Sequence, residues 1–165
     1  MSITDYSNLL YERNGRIRHV ENWRVYALFC MRDDGVALVK VGISSIIYDR
    51  IVQLLPGLMY PLEEVRHLHI GDRKDAATFE ATIHRLLKEK NTRGEWFEFD
   101  TKSADDKTLF NGAFQRAWAV HMPRGSGLMK WERISAAQIR AHLANRTEER
   151  KNRKKRVPAD AWSRR

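Results

Sequence analysis

The sequence predicts a small mixed α/β (α+β) domain with a helical C-terminal extension. Three observations lead there. Two runs rich in Val, Tyr, Phe and Ile, residues 24–30 and 36–43, flank the turn signal "RDDG". Two later stretches carry apolar residues at helical spacing. After Asp100 strand-like patterns give way to helical ones. With no repeat and no long linker, the chain divides into an N-terminal segment (1–23), a core domain (24–100) and a C-terminal extension with a basic tail (101–165).

Taken in order, "DYSNLLYERN" reads as a short helix packed on the sheet. "RVYALFC" and "VALVKVGI" form an antiparallel hairpin. "SSIIYDRIVQLLPG" is a helix: Ser44 or Ser45 offers a hydroxyl to the free first-turn N–H groups, Ile47, Ile51, Leu54 and Leu55 form one stripe, and Pro56-Gly57 ends it. "LEEVRHLHI" is a third strand. "KDAATFEATIHRLLKEKN" is a strong helix that buries Ala76, Phe79, Ile83, Leu86 and Leu87, with lysines in its last turn where the helix dipole favours them. "GEWFEF" is a short strand. "LFNGAFQRAWAVHM" is helical, "PRGSG" is a loop, and residues 135–150 are a helix running into the tail.

Composition narrows the function classes. No apolar run approaches the roughly 20 residues of a membrane helix, and "MSITDYSNLL" has no secretory pattern. Cys30 is the single cysteine, so no internal disulfide forms, and a reduced, cytoplasmic setting is the simplest expectation. The formal net charge of +9 favours an anionic partner. Ten bases against three acids place +7 of it in residues 140–165. Arg150, Lys151, Arg153, Lys154, Lys155 and Arg156 are its densest part. Two readings stand for this tail, a nucleic-acid arm and a solvated helix end.

Several polar residues lie close to the apolar stripes. Arg50 adjoins Ile51 in the first helix, where its stem can cover the core edge. Glu80 and His84, four apart, share one face of the second helix, the spacing of an ordinary surface pair as well as of a site. His67 and His69 fall on one side of the third strand, but no third metal ligand has a clear spacing.

In order, "VYALF", "KVGIS", Arg50 within a helix, "FEATIH" and "RGEWFEF" resemble the GIY-YIG nuclease superfamily, and most the branch, common in phage and bacterial proteins, that closes on Glu-Trp-Phe. The resemblance covers residues 24–99. It implies a small antiparallel three-stranded sheet flanked by helices, and metal-dependent hydrolysis of DNA phosphodiester bonds. Tyr26 matches the catalytic tyrosine of the first motif. Lys40 stands where the second motif has tyrosine, a departure that related branches share. Arg50 matches the helix arginine, Glu80 the single metal-binding carboxylate, and His84 a histidine frequent in this branch. Leu54 replaces a basic or aromatic residue, and Asn91 corresponds to a late asparagine.

The chemistry suits these residue types. Glu80 would hold one Mg²⁺ or Mn²⁺, hard cations that prefer oxygen ligands. The planar fork of Arg50 fits a phosphate, and Tyr26 would accept the proton of the attacking water. An unperturbed tyrosine titrates near pH ~10, so Lys40 on the paired strand is expected to favour the phenolate. A homodimer is expected if both strands are cut. Two other readings keep the same scaffold: a catalytically degenerate DNA-binding regulator, and an interaction module in which Trp118, Trp131 and Trp162 make protein contacts.

Overall fold

A computed structural model describes residues 11–13, 16–18, 22–122 and 127–156, with side chains for 22–122 and 127–152. Strands β1 (Tyr11–Arg13) and β2 (Arg16–Arg18) form a two-stranded antiparallel hairpin. The chain then runs through β3 (Trp23–Met31), β4 (Val36–Ser44), α1 (Ile47–Leu54), β5 (Leu62–Gly71), α2 (Arg73–Leu86), β6 (Asn91–Arg93), β7 (Trp96–Asp100), α3 (Ala104–His121), β8 (Glu132–Ser135) and α4 (Ala136–Arg156). Strands β3 to β8 build one antiparallel sheet in the order β6-β7-β4-β3-β5-β8.

The three-stranded sheet expected from the resemblance is therefore corrected to six strands. β7 pairs with β4 through Val36↔Asp100 to Lys40↔Trp96, β6 folds back on β7, and β8 pairs with β5 through Glu64↔Ser135 to His67↔Glu132. The two edge strands give little sequence signal. β6 is exposed throughout, and β8 buries only Ile134. Short polar edges of this kind also discourage pairing with other chains. The N-terminal helix is corrected too: Tyr11–Arg13 is a strand, and the rest of "DYSNLLYERN" lies outside the described residues.

β3 is central and covered on both faces, which is why its sequence is a near-continuous apolar run. On one face Val25, Ala27, Val39, Val41 and Phe97 pack against Ala76, Phe79 and Ile83 of α2 and Phe110 and Phe114 of α3. On the other, Tyr26, Leu28, Cys30 and Val65 pack against Ile47 and Ile51 of α1 and Ile139 of α4. Each large side chain so buried contributes about 1.5–3 kcal/mol. The segment after Asp100 thus joins the same sheet and core.

The helix starts obey local chemistry. Asp72 caps α2, its carboxylate accepting from the N–H of Lys74 (2.6 Å). Ser103 caps α3. Ser135 and Gln138 bond reciprocally at the start of α4, the S-x-x-Q capping box. At α1 the expected serine cap is absent. Ile46 holds the cap position, and the Ser44 hydroxyl accepts from the Ile46 N–H (3.1 Å), just ahead of the helix. No helix among the described residues is long and apolar enough to cross a membrane.

Candidate active site

The hairpin register sets Tyr26 opposite Gly42 on β4 and opposite His67 on β5. A side chain that lies across its neighbouring strand needs that strand bare. A Cβ added at Gly42 would come 2.6 Å from the Tyr26 hydroxyl and 2.8 Å from its ring, so only glycine admits this tyrosine. Tyr26 is 1% exposed. From α1, Arg50 reaches back over it, and its Nε donates to the hydroxyl at 3.3 Å. Nη1 of the same arginine donates to Gln53 (3.4 Å).

Lys40 lies two residues before Gly42, on the same side of β4 as the Tyr26 ring. It is nearly buried, and its ammonium pairs with Glu95, in the turn entering β7, and lies 5.7 Å from the centre of the Trp96 ring. Pairing between β4 and β7 stops at Lys40↔Trp96, apart from the Val41 N–H donated to Glu95 O (3.1 Å). The β4 edge is open beyond that point. His84, from α2 on the opposite face, uses the opening: its Nε2–H donates to the Val41 carbonyl (3.3 Å), and its ring meets Phe97 edge-on. Glu80, one turn earlier, has Oε1 4.0 Å from the same nitrogen.

Electrostatics connects the two faces. Burial, then the nearby Glu95, push the Glu80 carboxyl up to about 7, against the opposing pull of Lys40 and Arg50. Burial likewise raises Tyr26, while the hydrogen bond and charge of Arg50 work to lower it. Glu95 and Glu80 both act on Tyr26 and on Arg50. Tyr26, Arg50, Glu80, Lys40 and Glu95 therefore share one field around the open edge of β4. The expectation that Lys40 favours the Tyr26 phenolate is corrected: the tyrosine is raised, Lys40 is spoken for by Glu95, and the cation on the hydroxyl is Arg50.

Other sequence candidates stand apart. Asn91 is exposed and donates to the carbonyls of Gly94 (2.7 Å) and Trp96 (3.2 Å), so it shapes the hairpin that presents Glu95. Leu54 packs at the rim of the core under α1. His67 and His69 do share one side of β5; His67 is pushed down to about 4 by burial, with Nε2 3.8 Å from Glu132 Oε2. No three His, Cys, Asp or Glu side chains among the described residues are grouped to hold a metal ion. Arg150 and Lys151 are exposed on α4, whose first half is tied to α1 by the Arg146–Asp49 ion pair (2.5 Å) and by the tilted ring contact of Tyr48 with His142 (4.5 Å). The backbone of α4 continues to Arg156, and the side chains of Arg153, Lys154, Lys155 and Arg156 lie outside the described residues. Glu95 received no role from sequence reasoning. Its signal was an acid in "RGEWFEF" just ahead of a strand, and only the Lys40↔Trp96 register brings it to Lys40.

The T5orf172 domain model matches residues 24–110, more than half of the chain. The chain belongs to the T5orf172 domain family. This is a nuclease-associated family, and membership carries a nuclease-like or DNA-binding role without a specific activity. The T5orf172 match takes in every residue of the shared field and ends inside α3; β8 and α4 fall beyond it. No curated protein and no solved structure matches the chain.

Proposed function

We propose that this T5orf172 chain is a metal-dependent DNA endonuclease of GIY-YIG type. The observation that carries the reading is the Tyr26–Arg50 hydrogen bond, held against a glycine and sharing one field with Glu80. The ring of Tyr26 serves the core, but among the described residues its hydroxyl is met only by the Arg50 guanidinium, a pairing that suits a proton acceptor set beside a phosphate clamp.

In this reading Arg50 has two tasks. Its Nε holds the Tyr26 oxygen, and the rest of its planar fork meets the non-bridging phosphate oxygens as charge grows on them in the transition state. The Tyr26 oxygen orients the attacking water and takes its proton. Because burial raises the phenol, the base form is scarce at neutral pH, and Arg50 is the group that favours it. His84 is fixed by Val41 and by the edge of Phe97, which holds its Nε2 4.0 Å from Glu80 Oε1. Lys40 neutralises Glu95 and thereby limits the repulsion felt by Glu80.

Glu80 would hold the divalent cation, Mg²⁺ or Mn²⁺. The fit rests on its raised carboxyl: a shielded acid repelled by a second acid gains from a nearby dication. With one carboxylate offered, water and phosphate oxygens would complete the shell, as is usual for Mg²⁺. When bound, such an ion supplies charge stabilisation at the leaving oxygen. The exposed bases of α4 would track the DNA backbone outside the cleavage centre.

Supercoiled plasmid incubated with Mg²⁺ or Mn²⁺ tests the reading. Nicking or linearisation by wild type, lost in Glu80→Ala and Arg50→Ala, is expected. DNA binding with no cleavage by wild type in either metal would refute it and leave the degenerate regulator.

A further inference from the structure

The Lys40–Glu95 pair also forms the wall of a cavity of about 490 Å³ on the Tyr26 side of the sheet. Small-molecule sites fall at about 300–1,000 Å³. Strands β3 and β4 form its floor. The β6–β7 turn supplies Arg93, Glu95 and Trp96 on one side, and the loop after α1 supplies Met59 and Tyr60 on the other.

The lining suits a flat, π-faced ligand that carries donors and acceptors at its edge. Trp96 and Tyr60 are half-buried aromatic rings, each packed on the core at one side and bordering the cavity at the other. The Lys40 ammonium over the Trp96 ring helps hold its plane. Arg93 offers exposed donors, and Glu95 offers acceptors. At the rim Met59 is 84% exposed, a large unbranched apolar side chain with nothing to cover it. Apolar side chains in such positions act as wedges between base steps. Glu95 also belongs to the field of Tyr26, Arg50 and Glu80, so the cavity adjoins the proposed cleavage centre.

We propose that this cavity is a nucleobase subsite, and that the chain acts on DNA with an unpaired or extruded base next to the bond it cuts. A base stacked inside a duplex cannot enter a cavity walled by side chains, so it must be unpaired already or turned out of the stack. The inference deepens the nuclease reading and rests on it for the position of the scissile bond.

The test uses the full chain carrying Glu80→Gln, which prevents cleavage. Two labelled duplexes differ only in a single-nucleotide bulge, and binding is measured by fluorescence anisotropy at one fixed salt concentration. The bulged duplex is expected to bind about tenfold tighter, the scale of one base stacked on an aromatic ring. Adding Tyr60→Ala or Arg93→Ala is expected to abolish that preference by lowering affinity for the bulged duplex more than for the paired one, so that the ratio of the two falls to about one. Arg93 is exposed, so its variant keeps the test valid if the Tyr60 variant folds poorly. Equal affinity for the two duplexes, or a preference that survives in the Arg93 variant, overturns the subsite. Cleavage by wild type is measured in parallel. Cleavage with no preference for the bulge overturns the subsite alone, whereas a preference without cleavage supports the subsite and removes the nuclease reading.

Discussion

Replacing Glu80 with glutamine should make the protein more stable, and only above acidic pH. The native carboxyl is raised from 4.5 to about 7, first by burial and then by Glu95. Between those values the folded chain keeps a proton that the unfolded chain has released. The unfolded state binds fewer protons there, so stability falls as pH rises through this window. At about 1.36 kcal/mol per pH unit the full gap corresponds to about 3 kcal/mol. The side chain is 20% exposed, and solvent screening reduces the expected effect to about 1–2 kcal/mol. Glutamine carries no charge at any pH and avoids this penalty. For a chain of this size the gain corresponds to an increase in Tm of about 3–6 °C. Thermal melts monitored by circular dichroism from pH 4 to pH 8.5 should show wild type and Glu80→Gln together at pH 4, diverging above 4.5 and parallel above 7. Mg²⁺ should then raise the Tm of wild type at pH 8 and leave the variant where it is. A variant that melts at or below wild type at pH 8, or a difference that ignores pH, would refute the account of Glu80 as a strained, cation-seeking acid.

Gly42→Ala should cost about 1–3 kcal/mol in urea unfolding, because the new methyl meets the Tyr26 hydroxyl at 2.6 Å, and most of that loss should disappear in a Tyr26→Ala background; additive losses would count against the contact. Lys40→Met should reduce plasmid cleavage about tenfold by leaving Glu95 to repel Glu80, with added Glu95→Gln restoring part of it; full cleavage by Lys40→Met alone would sink this role. Arg150→Ala with Lys151→Ala should flatten the dependence of log DNA affinity on log salt by up to about 2, near 0.9 per lost phosphate contact, whereas an unchanged slope would return these residues to solvated helix. Cys30, pushed up to about 11 by burial, should resist iodoacetamide at pH 8 until the protein is unfolded, as read by mass spectrometry.

The parts of this structure that were legible in the sequence are those written by local chemistry. The β3–β4 hairpin, the Ile47–Ile51 stripe of α1 and the Ala76–Phe79–Ile83 stripe of α2 come from side-chain period, and these residues are buried as the period requires. Edge strands escaped because they bury too little: a period cannot be read from β6, which is exposed throughout, or from β8, where one residue of four is buried. Within the site, Tyr26, Arg50 and Glu80 were reached through the spacing of motif pieces. The relations among them were not legible. The Tyr26↔Gly42 register, the charge of Glu95 placed 55 residues after Lys40, and the passage of His84 over the open β4 edge all depend on long-range pairing. The role first given to Lys40 failed for the same reason. Sequence shows that a cation stands on the neighbouring strand, but not that a carboxylate in the distant β6–β7 turn already holds it.

The attachment of β8 to β5 bears on how this protein can be divided. The family match ends at residue 110, but the sheet is completed by residues 132–135, and Ile139 closes the core over Val65 and Leu28. A chain cut at the family boundary would uncover the backbone donors and acceptors of β5 together with an apolar patch beside them, the arrangement that invites strand addition and aggregation. Here the unit defined by family resemblance is smaller than the unit that folds. A segment substituted for the residues after Phe110 would have to cap the same strand and cover the same apolar patch.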